Sequence, residues 1–202
     1  LAKSNEFIIM DYPWTDGITA NQSVSPNKTN FNTIRGSFDS NMNALNASGL
    51  LSKRNYSMNL SGDWIIQFDY YLNDTSYADW FNMFAFGTHN NDGGDKPTAA
   101  ISVINNREVT VIYNFSKTEA DNILYHKWHT FTIKGSSGKT EFYLDGELKN
   151  SLGSIGNQSD FYLNGKGGGR EIYSYIRNFK FVIGINEFKP PYNLLIDNFK
   201  TS

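Results

Sequence analysis

A single all-β domain, a sandwich or jelly roll of two antiparallel sheets, is what these 202 residues predict. Three observations carry that expectation. Apolar residues recur with period two, Gly/Asn/Asp/Ser clusters separate the alternating runs, and only residues 116–125 have a helical look.

The elements follow in chain order. Residues 6–12 form an early strand. In 63–72, Trp64, Ile66, Phe68, Tyr70 and Leu72 share one face, and Ile65, Gln67, Asp69 and Tyr71 share the other. Residues 80–87 (WFNMFAFG) are apolar on both faces, as in a strand covered from both sides. Residues 107–115 alternate again, with Val109, Val111, Tyr113 and Phe115 on one side. In 128–134, His129, Phe131 and Ile133 oppose Thr130 and Thr132. The Gly/Ser run 135–138 turns this strand into 139–145, and Asp145-Gly146 turns that strand into 147–149. Residues 171–185 alternate long enough to bend or split at Gly184. The closing strand, 193–200, is apolar enough to be buried, with 6–12 as its natural partner. No domain boundary or repeat interrupts residues 1–202, and a start at Leu1 reads as an excised or mature segment.

Composition excludes several functions. Eighteen basic against 20 acidic residues give a net charge of −2, so no basic excess exists to neutralise nucleic-acid phosphates. No run reaches membrane-spanning length, and none reads as a signal peptide. The absence of cysteine removes disulfides, thiolate metal sites and Cys nucleophiles. About 25 asparagines exceed average usage. They create N-x-S/T triplets at Asn21, Asn27, Asn46, Asn55, Asn59, Asn73, Asn114 and Asn157. These read either as glycosylation acceptors or as products of an Asn- and Ser/Thr-rich composition.

Candidate chemistry is sparse. Glycosidases need two carboxylates flanking the bond; Glu141 and Asp145 share a strand face, but Asp145 suits the turn better. His126 and His129 have a spacing that sends their rings to opposite faces of a strand, so both read as turn or surface histidines. The loop 89–95 clusters oxygen donors around glycines. A Ca²⁺ ion held by Asp92 and Asp95 is one reading and a solvated hairpin loop the other; Asp197 is a second metal candidate. The glycine run 165–169 with Lys166 and Arg170 lacks phosphate-loop spacing and reads as a loop. Sugars bind by stacking C–H faces on aromatic rings, with hydroxyls held by polar side chains. On that chemistry the candidate carbohydrate-binding residues are Tyr71, Tyr77, Trp80, His89, Asn90, Asp92, Arg107, Asn114, Tyr143 and Tyr173. Core packing is the competing role for each ring.

The stretch W-H-x-F-x-I-K at 128–134, followed by F-Y-L-D-G-E-L at 142–148, resembles the central hairpin of concanavalin-A-like, laminin-G-like domains. Residues 64–70 and the closing 195–199 (LIDNF) are similar to two further strands of that superfamily. The Asp-Gly turn suits a tight hairpin, and Trp128 is expected to anchor the core. The resemblance implies a concanavalin-A-like jelly roll. It also implies a non-catalytic carbohydrate-binding module for a cell-surface or cell-wall polysaccharide or oligosaccharide. The superfamily's calcium sites make a bound Ca²⁺ an expectation. Its bacterial and phage members, including baseplate and tail adhesins, suggest part of a larger, multimeric assembly that is extracellular, at a cell surface or on a virion. Neither nucleic acid nor membrane is an expected partner. A protein-contact adhesion module is the alternative, and a polysaccharide hydrolase or lyase the third reading.

Overall fold

The alternation in 63–72 becomes a nine-residue strand whose two sides differ sharply. Trp64, Ile66, Phe68, Tyr70 and Leu72 are all at most 1% exposed, while Gln67, Asp69 and Tyr71 on the other side are only half-buried. The computed structural model describes residues 8–17, 20–25, 28–73, 80–89, 97–104, 112–165 and 172–188, with only the backbone of residues 80 and 104. Within these, the strands are β1 (Ile8–Tyr12), β2 (Thr33–Asp39), β3 (Ala44–Lys53), β4 (Met58–Asn59), β5 (Trp64–Leu72), β6 (Trp80–Phe86) and β7 (Ala99–Ile104). After β8 (Tyr113–Phe115) come the helix α1 (Lys117–Ile123), β9 (Trp128–Ser136), β10 (Lys139–Leu144), β11 (Glu147–Leu152), β12 (Asn157–Gln158), β13 (Phe161–Gly165) and β14 (Ser174–Ile183).

The ladder runs β11-β10-β9-β5-β14-β3-β13-β6-β7-β8, with β1 added on β14 and β2 on β3; β4 and β12 form a separate two-stranded ribbon. The described pairs are antiparallel except β7 with β8. The two layers are therefore joined into one curled sheet. β3 makes the corner, pairing through Leu45–Ala47 with β14 in one layer and through Leu51–Lys53 with β13 in the other. Strands that switch layers at a bend are the usual way to build such a corner. Between those two segments the Gly49 carbonyl accepts a bond from Asn164 Nδ2. Asn164 Oδ1 in turn accepts the buried Tyr70 hydroxyl at 2.6 Å, and burial holds that phenol above its ordinary pKa.

Aromatic rings fill the space between the layers. Phe68 of β5 stacks with Phe84 of β6, Phe131 of β9 and Phe179 of β14 at centroid distances of 6.0, 5.6 and 6.1 Å. The two ends of the sheet also meet. Tyr113 of β8 packs on Phe142 of β10 at 5.1 Å, and Asn150 Nδ2 on β11 donates to the Ile112 carbonyl.

Local chemistry explains most boundaries. Asp145 and Gly146 have φ of 51° and 83°, the paired left-handed geometry of a two-residue hairpin turn. Ser116 caps α1 reciprocally with Glu119, its side chain accepting from the Glu119 amide while Glu119 Oε2 accepts from the Ser116 amide. β14 ends at Ile183 and Gly184 follows at φ 107°, so the long run stops where the sequence suggested a bend.

Two expectations change. Gly135 and Ser136 belong to β9 rather than to the turn, which is made by residues 137–138. A Cβ on Gly135 would sit 1.8 Å from Trp64 Nε1, so the glycine is there because the Trp64 ring lies across it. The core tryptophan is accordingly Trp64, at 0% exposure, and not Trp128. Trp128 shares its phase with Thr130 and Thr132, opposite Phe131 and Ile133, and this phase carries its ring to the outer face. The described partner of β1 is β14; the expected partner 193–200 lies outside the described residues, as do residues 107–111 of the expected strand 107–115.

Candidate carbohydrate site on the outer sheet face

The outer face of β9, β5 and β14 gathers aromatic and polar groups at one end. Tyr71 is in register with Trp128 on one side and Tyr175 on the other. Its ring meets both edge-on, each at 5.6 Å, and meets His126 at 6.3 Å. The Arg177 guanidinium lies 4.0 Å from the centre of the Trp128 ring, a cation held against the negative ring face. All three rings are half-buried, and Tyr173, two residues before Tyr175, is 44% exposed.

Asp69 organises the next row. Its Oδ1 accepts from Thr130 Oγ1 at 2.7 Å, and its Oδ2 from Asn178 Nδ2 at 2.9 Å and Arg177 Nε at 3.4 Å. Two consecutive side chains can reach one carboxylate because β14 carries a bulge between Arg177 and Lys180. Asn178 sits there at φ 55°, a left-handed conformation that Asn tolerates well. The result is a pre-oriented cluster in which the Asp69–Arg177 pair pins the Trp128 ring.

Further along the same face, Gln67 Nε2 donates to Thr132 Oγ1 at 2.9 Å, and Lys134 Nζ stands 4.7 Å over the Tyr143 ring on β10. Lys180 faces Asp11 at 3.9 Å. The far end is apolar, where Ile8, Ile65 and Val182 pack beneath Ile185 and Phe188.

Of the sequence candidates, Tyr71 stands at the centre of the aromatic corner, Tyr173 at its margin and Tyr143 on the neighbouring strand. His89 and Asn114 lie elsewhere, because the strands that bring them belong to the second layer. The His89 ring packs 5.0 Å from Tyr162, and Asn114 is in register with Ser102 on β7. Trp80 opens β6 through its backbone, paired with Ile104, and its side chain lies outside the described residues. Tyr77, Asn90, Asp92, Asp95, Arg107 and Asp197 also lie outside them, the whole expected Ca²⁺ loop included. Among the described residues no three His, Cys, Asp or Glu side chains gather as a metal site would require.

Trp128, Tyr175, Arg177 and His126 were absent from the sequence candidates. The first three were findable from strand phase, since each falls opposite a core residue. His126 was not, because a turn at φ 57° brings it to Tyr71. His129 has a different role: Nδ1 contacts Asp145 Oδ2 at 2.7 Å and Nε2 contacts the Ile123 carbonyl at 2.6 Å, so it ties α1 to the β10–β11 turn.

No protein-family model and no curated protein matches this chain. Solved structures do. The binding domain of Paraclostridial Mosquitocidal Protein 1 superimposes with a TM-score of 0.52 at 14% identity, over 96% of this chain and 53% of that one. The botulinum neurotoxin serotype D ligand-binding domain, solved with N-acetylneuraminic acid, gives 0.53 at 11% identity over 98% and 52%. Trypanosoma rangeli sialidase gives 0.59 at 12% identity over 88% and 30%. The chain thus spans about half the length of the toxin binding domains and less of the sialidase. At these identities the likeness establishes architecture: the chain has the all-β, concanavalin-A-like jelly-roll fold.

Proposed function

We propose that this domain is a non-catalytic glycan-binding module whose site is the aromatic corner of β9, β5 and β14. The observation that carries the reading is three half-buried rings, Trp128, Tyr71 and Tyr175, side by side on adjacent strands next to the Asp69–Arg177–Asn178 cluster. Rings supply flat apolar area for sugar C–H faces, and the fixed polar row supplies orientation. The toxin domains of the same fold give the reading further support, one having been solved with N-acetylneuraminic acid. Against hydrolysis stands the state of Asp69, the carboxylate at this corner, which is already engaged by three donors. A docking surface for protein is less well supported, because the exposed large apolar side chains among the described residues, Val24, Ile123, Leu148 and Tyr173, come from four separate segments. The same reading makes the domain an adhesion part of a larger protein acting at a cell surface.

Binding to a glycan array, with and without EDTA, tests the proposal. Wild-type protein should bind, and Trp128→Ala and Tyr71→Ala should lose binding while keeping the wild-type circular dichroism spectrum. Folded variants that bind normally would move the site elsewhere. Binding abolished by EDTA would support the Ca²⁺ expectation for Asp92 and Asp95.

A further inference from the structure

We infer that this face reads several consecutive units of an uncharged oligosaccharide laid along β9 towards β10, rather than one terminal sugar; the inference rests on the glycan reading above. Two aromatic stations share the face. One is the Trp128 corner, and the other is Tyr143 on β10. Tyr143 is in register with Thr132, and Thr132 with Gln67, so all three stand on the outer side. Trp128 and Thr132 are four residues apart on β9, which at ordinary strand rise is about 13 Å. Tyr143 lies one strand further. That separation exceeds a single pyranose ring and suits a short oligosaccharide.

The floor between the stations is polar and fixed. Thr130 is bonded to Asp69 and Thr132 to Gln67, so hydroxyl and amide groups line the path without a large apolar side chain. Two cations on the path are paired, Arg177 with Asp69 at 3.4 Å and Lys180 with Asp11 at 3.9 Å, and Lys134 lies over the Tyr143 ring. A polyanionic chain would have to displace these carboxylates from their cations, whereas a neutral chain would not.

The test uses the 202-residue domain. Native gels containing laminarin, galactomannan or xylan, with alginate and hyaluronate as anionic counterparts, identify the retarding polymer. Titration calorimetry then follows the mono- to hexasaccharide series of that polymer. Neutral polymers should retard the domain, and affinity should rise by about tenfold or more, roughly 1.4 kcal/mol, between the monosaccharide and the tetrasaccharide. Tyr143→Ala should remove that gain, and Trp128→Ala should weaken every length. A monosaccharide that binds as tightly as the tetrasaccharide overturns the inference, as does retardation by anionic polymers alone, and in both cases the glycan reading survives. No retardation by any polymer, and none on the array, overturns the glycan reading itself. The wild-type length series decides the matter even if Tyr143→Ala fails to fold.

Discussion

The outward sides of the two layers have opposite character. On β5, β9 and β14 the outer residues are long, polar or aromatic, and half-exposed. On β13, β6 and β7 the residues pointing away from the main core are small or buried: Ala85, Ala100 and Tyr162 form a closed cluster with Leu50, and Ser102 and Asn82 are 0% and 5% exposed. Even the polar groups there are turned on one another, Ser102 Oγ donating to Asn82 Oδ1 at 2.5 Å and Asn82 Nδ2 to Tyr162 Oη at 2.7 Å. One layer thus offers a surface to a ligand, and the described part of the other is interior on both sides. Apolar character on both faces, as in WFNMFAFG, marks the second kind of layer, and alternation marks the first.

The largest expected effect comes from the core common to both layers. Phe68→Ala removes a ring that stacks on three others, and urea unfolding should show a loss of about 3–5 kcal/mol. A loss under 1 kcal/mol would mean the layers are not held by this stack.

The contrast between the outer sides is tested more directly by Ala100→Leu. If the outer side of β7 is truly interior, the added methylenes overpack it and cost about 1–3 kcal/mol. An unchanged midpoint would make it an ordinary surface. Trp128→Ala, on the open side, should cost only about 1 kcal/mol of stability. Its effect belongs in the binding assay, and a variant that unfolds would assign Trp128 to structure instead.

Titration gives the smallest effect, with opposite signs in two regions. Burial raises the pKa of Asp11 on the open face, with Lys180 opposing. The folded state then holds its proton more tightly than the unfolded chain, so this group lowers stability as pH climbs through the window between its ordinary and raised values. For Asp160, burial pushes the pKa up, but the Thr88 hydroxyl and the Asn55 amide, with Ser159 and Arg54, outweigh it and leave it lowered. Its stabilisation is present above the ordinary carboxylate value and fades as pH falls through the lowered one. Asp11→Asn should flatten the first dependence and Asp160→Asn the second, read from thermal midpoints between pH 3 and 7. Equal slopes in both variants would refute the assignment.

How far the sequence could be read differs between particular residues. The two faces of β5 followed from alternation alone, because a period of two is imposed by strand geometry. The Asp145-Gly146 hairpin followed from the conformations those two residues tolerate, and the helical look of residues 116–125 corresponds to α1. Trp128 shows where identity misleads. As a large apolar residue it reads as core, yet the phase of Phe131 and Ile133 places it outside, and phase is the stronger constraint because one step would turn every side chain of β9 over. Tyr71 was singled out correctly as outward-facing, but its companions Tyr175 and Arg177 lie more than a hundred residues away, and nothing local announces their pairing.

What the amino-acid sequence determines by itself is thus the strands with clear alternation, β5, β9, β10 and β14 among them, and the Asp145-Gly146 turn, since these depend on a two-residue period and on dihedral preference, whereas β2, β3, β7 and β13 are not legible in it. Tertiary structure alone decided three other matters. The layers share one ladder through β3, a bulge at Asn178 turns two neighbours onto Asp69, and rings from three distant segments meet at Tyr71. Each depends on strand order and register, which long-range hydrogen bonding and core packing select together, and no short stretch of chain carries that information.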